Sequence, residues 1–211
     1  MKYIRYIFIV VIAVFYGCPM APGSRKYMPT TLESQYFNFS SRCILPNDIN
    51  LMSESELENL PRLNWVGIIE NVEVDKSEAY EKIILKLSHK YWDFIEDFSI
   101  QDEKMFVSDK GEGDFIIEIE NSKVSTDSLK NIYKPKDLAI CYGRLKGVKN
   151  ETPILSGDYI RPVPYKYYST TIWRYDVKKD SINGRTICNE KGKYEIDNLE
   201  ILKIPKAGQN K

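Results

Sequence analysis

The chain has 211 residues, enough for one ordinary domain with extensions. Lys and Arg together number 30, and so do Asp and Glu. That balance argues against a polyanion binder, which would carry a clear basic excess. Tyrosine dominates the aromatic residues, and it suits half-buried strands and binding surfaces.

The first five residues supply Lys2 and Arg5 and no acid. An unbroken apolar and aromatic run follows from Tyr6 to Tyr16, then Gly17, Cys18 and a loop-like Pro19–Gly23. A basic start, a short apolar core and a small residue at the break describe a secretory signal over residues 1–17. The run is shorter than the roughly 20 apolar residues that span a bilayer.

The Gly17-Cys18 junction resembles a bacterial lipobox. In that family of signals the cysteine thiol receives diacylglycerol, cleavage occurs just before it, and the new amine is acylated. The resemblance implies an envelope lipoprotein lipidated at Cys18, since several acyl chains anchor stably and one does not. Lipoboxes prefer leucine and a small residue at the places held here by Phe15 and Tyr16. A plain secretory signal is the alternative. Pro19 rather than Asp after the cysteine favours, by resemblance to Gram-negative lipoproteins, the outer membrane over the inner.

Three cysteines remain beyond Cys18, and an odd number cannot all pair within the chain. Cys141 lies in an apolar strand pattern and reads as a buried thiol. Cys43 and Cys188 lie in loop-like or edge contexts and can pair, though sequence does not determine connectivity. No two cysteines have metal-site spacing.

Residues 18–50 read as the lipidated N-terminus and a tether rich in Pro, Ser, Asn and Thr, whose later part around Tyr36–Leu45 can pack on the domain. Ser53–Leu60 has a short helical look with acids in its first turn, stopped by Pro61. Trp65–Val74 is predicted as the first strand, with Val66, Ile68, Val72 and Val74 on one face. Lys82–Ser88 alternates, with Ile83, Leu85 and Leu87 on one side. A long excursion, His89–Gly113, leads to a third strand carrying Phe115, Ile117 and Ile119. Ser125 or Thr126 can cap a short helix running to Tyr133. Leu138–Leu145 is the fourth strand, Gly147–Thr152 a turn, and Ile154–Ile160 the fifth.

Three strands, a short helix and two strands form the order of the OB-fold, a five-stranded Greek-key barrel. Tyr142-Gly143-Arg144-Leu145-Lys146-Gly147 resembles the glycine-containing end of the fourth strand in OB domains, where glycine relieves crowding at a sharp bend. The expected fold is therefore mainly β: an OB-like barrel within residues 51–163, then a β extension and tail over 164–211. Within the extension, Tyr167–Val177 and Lys193–Ile204 look strand-like, with turns at Asn183-Gly184 and Asn189–Gly192. The leader, the tether and the valine-, glycine- and tyrosine-containing strands also resemble the starvation-inducible outer-membrane lipoprotein family. No motif aligns residue by residue, so that resemblance carries no functional residues.

The densest polar constellation is the excursion. If residues 89–97 were helical, His89, Asp93 and Glu96 would share one face, and a histidine with two carboxylates can ligand a metal. The acids with Glu112 can instead hold calcium through oxygen. The structural alternative has Trp92, Phe94 and Ile95 packing on the barrel while the charges solvate its rim. It is preferred, and no cofactor is expected. No nucleophile-elbow motif accompanies His89, the one histidine. Tyr159, Tyr165, Tyr167, Tyr168, Trp173 and Tyr175 form the candidate binding surface, weighed against filling the seam between barrel and extension. Asn38-Phe39-Ser40 and Asn150-Glu151-Thr152 match glycosylation sequons, which matter only in a eukaryotic secretory host.

These readings point to a non-enzymatic lipoprotein facing the periplasm. Its expected partners are the membrane, through the lipid, and an envelope protein or polymer, with no nucleic acid. The runner-up is an exported metal-assisted hydrolase using His89 and the nearby acids. A third reading is a soluble periplasmic ligand-binding protein.

Overall fold

The computed structural model describes residues 30–76, 81–93, 105–120, 131–164, 168–169, 173–190, 192 and 194–201. At 81, 93, 105–106, 168–169, 173–175 and 196–201 it describes the backbone only. The expected leader and Cys18 lie outside this set, as do most of the helix expected over 125–133 and the excursion residues 94–104. Of that helix, Asn131 and Ile132 are described and are helical.

The five barrel strands are β2 (Arg62–Lys76), β3 (Glu81–His89), β6 (Asp114–Glu120), β7 (Leu138–Lys149) and β8 (Thr152–Val163). They hydrogen-bond in the order β2-β3-β6-β8-β7, and β7 pairs back onto β2 to close the barrel. All pairings are antiparallel except β6 with β8, where Ile117 faces Leu155 in parallel register. This is the OB-like barrel expected from the strand order. Closure removes the free sheet edges that would otherwise invite pairing with other chains.

Alternation places Ile83, Leu85 and Leu87 of β3 inside, opposite Phe115 and Ile117 of β6. Trp65 meets Phe115 edge-on, with ring centroids 5.1 Å apart. Each such fully buried side chain contributes about 1.5–3 kcal/mol. The predicted face of the first strand needs correction. The β2–β3 register shifts between Ile69 and Asn71, so Leu63, Trp65 and Ile69 point inward before the shift, and Val72 and Val74 pack on the core after it. One extra residue exchanges the faces. Val66 therefore lies on the outer face, where it is nevertheless buried.

The hairpin between β7 and β8 is tighter than predicted. β7 runs on to Lys149, and the turn is Asn150-Glu151, both at positive φ (50° and 62°). Two left-handed residues match the twist of the flanking strands. At Gly143, where the β7–β8 register also shifts, a Cβ would lie 2.5 Å from the Ser156 carbonyl oxygen. The crowding inferred for that glycine is thus real.

The packing expected for Tyr36–Leu45 extends over all of residues 30–50, which are not free tether. They form α1 (Thr31–Phe37), β1 (Ser40–Ser41) and α2 (Pro46–Ile49), all laid on the barrel as a strap. β1 pairs in parallel with Arg62 and Leu63, just short of Gly67, where β3 takes up that edge of β2. Ile49 joins the barrel core, and the Trp65 indole N–H donates to the Ile44 carbonyl at 2.6 Å. α3 (Glu54–Glu58) forms as predicted, with Glu56 accepting from the Ser53 backbone N–H at 2.9 Å.

The extension is also β. β10 (Trp173–Val177) pairs antiparallel with β11 (Ile196–Ile201). Gly184 and Gly192 sit at φ +71° and +66° in the two predicted turns. In the excursion, β4 (Trp92–Asp93) pairs with β5 (Met105–Val107), which pairs in parallel with β9 (Tyr168–Ser169).

Candidate functional site

His89 closes β3, and the returning chain passes so close that a Cβ on Gly111 would lie 1.7 Å from the His89 carbonyl oxygen. Only glycine fits there. The approach lets the Glu112 backbone N–H donate to His89 Nδ1 at 3.0 Å. His89 is buried, and that burial, with Lys90 and Lys179 adding repulsion, pushes its pKa down to about 3. The ring is therefore neutral, with Nδ1 as acceptor.

Glu112 is the hub of a polar cluster. Its Oε1 accepts from the Tyr91 hydroxyl at 2.6 Å, and its Oε2 accepts from Lys179 Nζ at 2.8 Å. Burial, then the bond to Glu112, raises the Tyr91 phenol well above its ordinary range. Lys179 also donates to Thr186 Oγ1 at 2.9 Å and lies 3.5 Å from Asp48 Oδ1. Asp48 is buried, and backbone N–H groups hold both of its oxygens. Leu45 donates to Oδ2 at 2.8 Å, and Thr186 donates to Oδ1 at 2.9 Å. The cluster thus joins α2, the end of β3, the start of β6 and the C-terminal extension. Beside it, Cys43 of the strap is disulfide-bonded to Cys188 of the extension, with Cα atoms 5.8 Å apart.

The metal constellation considered from sequence rested on a helix starting at His89. β3 ends at His89 and β4 starts at Trp92, so residues 89–93 are not helical and the shared face of His89, Asp93 and Glu96 is lost. Backbone pairing of Trp92 with Val107 wins over local helix formation. Glu96 and the Asp93 side chain lie outside the described residues. His89 and Glu112 are brought together, but through the glutamate's backbone amide rather than as two ligands. Among the described residues no group of three His, Cys, Asp or Glu side chains is placed to hold a metal. Asp48, Tyr91 and Lys179 were missed from sequence. No motif links residues 131 positions apart, which is the separation of Lys179 from Asp48.

A second polar site sits beneath α1. Glu33 is fully buried; it accepts from the Tyr142 hydroxyl at 2.6 Å and from Arg161 at 3.1 Å. Glu33 and Thr30 also form a reciprocal cap, each accepting from the other's backbone N–H at 3.2 Å. Tyr36 stacks on Tyr159, centroids 5.4 Å apart and planes 7° from parallel. Tyr159, from the predicted aromatic surface, therefore lies against the protein's own strap. Tyr165 and Tyr167 lie outside the described residues. Tyr168 is in β9, and Trp173 and Tyr175 are in β10, described by backbone alone. Replacing Glu33 with alanine leaves the Tyr142 hydroxyl buried without this acceptor. The expected loss is about 2 kcal/mol, reduced from a fully buried pair because Arg161 is partly exposed. The urea midpoint of Glu33→Ala against wild type measures it, and an unchanged midpoint would show that the carboxylate does not hold α1 in place.

The outer face of β3 and β6 is where OB domains commonly bind oligonucleotides or oligosaccharides. Here it carries a lattice of charges. Lys86 lies 3.1 Å from Asp114 and 3.4 Å from Glu70, and Lys82 and Lys146 both reach Glu118, at 3.4 and 2.6 Å. The other described outward positions of the two strands are Ile84, Ser88, Ile116 and Glu120, none aromatic. Base-stacking platforms need aromatic rings and a basic groove, and the described residues of this face offer neither.

No family model, curated protein or solved structure matches the chain.

Proposed function

We propose that this protein is exported, cut before Cys18 and anchored to a bacterial envelope membrane by acyl chains on that cysteine. Its OB-like barrel then serves as a non-enzymatic docking module for another envelope component. The observation that carries this reading is the Cys43–Cys188 bond together with the buried Cys141. Disulfides persist in oxidising compartments outside the cytosol. One bond uses two cysteines, the barrel interior encloses a third, and Cys18 remains at the end of the leader for lipid. Pro19, and the likeness to Gram-negative signals, favour the outer membrane. The non-enzymatic part rests on the sole histidine being buried and neutral with Nδ1 already bonded, and on an outer barrel face whose charges pair with one another.

The test is metabolic labelling with an alkyne palmitate in a bacterial host. Wild type is expected to take up label, and Cys18→Ala is expected to take up none. Equal labelling of the two, or no labelling of wild type, removes the lipoprotein assignment.

A further inference from the structure

The cluster of Lys179, Asp48 and Glu112 has the makings of a covalent bond, and we propose that Lys179 and Asp48 condense to an internal amide with Glu112 as the proton carrier. Three features carry the inference. The amine and the acceptor carboxyl are already neighbours, with Nζ 3.5 Å from Asp48 Oδ1. Glu112 Oε2 sits 2.8 Å from the same nitrogen, and the carboxylate is anchored on its other side by the Tyr91 hydroxyl. The Leu45 and Thr186 backbone N–H groups point at the two Asp48 oxygens, where negative charge would gather during attack.

The balance is simple. Glu112 takes a proton from the Lys179 ammonium, freeing the nitrogen lone pair. Nζ attacks Asp48 Cγ, and charge builds on Oδ2 against the Leu45 N–H. Glu112 then passes its proton to Oδ1, the nitrogen loses a second proton by the same route, and the Cγ–Oδ1 bond breaks. Ammonium and carboxylate become an amide and one water, Glu112 ends as it began, and no oxidant or outside reactant is needed. In bulk water the separated ions are favoured. Here Asp48 and Glu112 are buried, desolvating such ions costs several kcal/mol each, and condensation removes two charges at once. Holding the groups in contact supplies the effective concentration a bimolecular reaction lacks. The product would tie α2 to the extension beside the disulfide, a second bond across the same seam.

The test is peptide mapping of the reduced full-length protein by mass spectrometry. Wild type is expected to yield a branched peptide joining Asp48 to Lys179, lighter than its two linear parts by one water. Asp48→Asn is expected to yield the same branch by loss of ammonia. Lys179→Arg and Glu112→Gln, each shown folded by circular dichroism, are expected to yield linear peptides only. Linear peptides alone from folded wild type overturn the proposal. A full branch in Glu112→Gln overturns the role given to that glutamate.

Discussion

Breaking the Cys43–Cys188 bond is expected to destabilise the fold by about 3–5 kcal/mol when no other covalent link spans the seam. The cysteines are 145 residues apart, so the bond closes most of the domain into one loop. In the chain-entropy account, closure of a loop of that order removes about 5 kcal/mol of freedom from the unfolded state. The strap keeps other holds on the barrel when the bond is cut, namely Ile49 in the core, the Trp65–Ile44 hydrogen bond and the Glu33 contacts. The native state therefore survives reduction while the unfolded state gains freedom. The measurement is urea unfolding with and without reductant in Lys179→Arg, where no amide can form. In wild type the proposed amide would close nearly the same loop, so the drop is expected to be smaller. Identical midpoints with and without reductant in Lys179→Arg would show that the bond adds nothing.

Acidification should weaken the protein through His89 alone before most carboxylates titrate. The ring's pKa is about 3 when folded and about 6.5 in an open chain. Above roughly pH 6.5 both states hold it neutral, and its contribution is fully present. As pH falls below that, the unfolded chain takes up a proton that the buried ring refuses, because it lies in a low-dielectric site near Lys90 and Lys179. Stability then drops by about 1.4 kcal/mol per pH unit, or about 2 kcal/mol between pH 7 and pH 5. The full loss, reached near pH 3, is about 4–5 kcal/mol. Denaturant unfolding across pH 5–7 reads the slope. In His89→Asn the side-chain oxygen can still accept the Glu112 N–H, but nothing titrates, so its profile should be nearly flat over that range. Equal slopes in the two proteins would mean that the ring is not held neutral.

The barrel was legible in the sequence wherever the deciding contact is local. Ile83, Leu85 and Leu87, like Phe115 and Ile117, alternate with polar neighbours, and period two is enough to choose the buried face of a strand. Ser53 with Glu56, and Gly184 after Asn183, announce a helix start and a turn through bonds and dihedrals that span a few residues. The extra residue near Glu70 was not legible, since a bulge shows only in which partner each residue faces. The metal reading of His89, Asp93 and Glu96 lost its helical premise over residues 89–93 for a similar reason. It assumed a helix from local spacing, and the pairing of Trp92 with Val107 decided otherwise.

From the sequence by itself come the strand order, the alternation that fills the barrel, the apolar run from Tyr6 to Tyr16 just before Cys18, and the cysteine count that leaves one thiol over. Tertiary structure alone decided that Cys43 meets Cys188, that the packing expected for Tyr36–Leu45 extends over residues 30–50 as a strap, and that Lys179 stands between Asp48 and Glu112. The disulfide and the two Lys179 contacts join side chains more than sixty positions apart, and the strap's hold of Ile44 on Trp65 spans 21. Propensity and periodicity act over a few residues, whereas such pairs come together only once the barrel has closed and the strap and the extension lie against it.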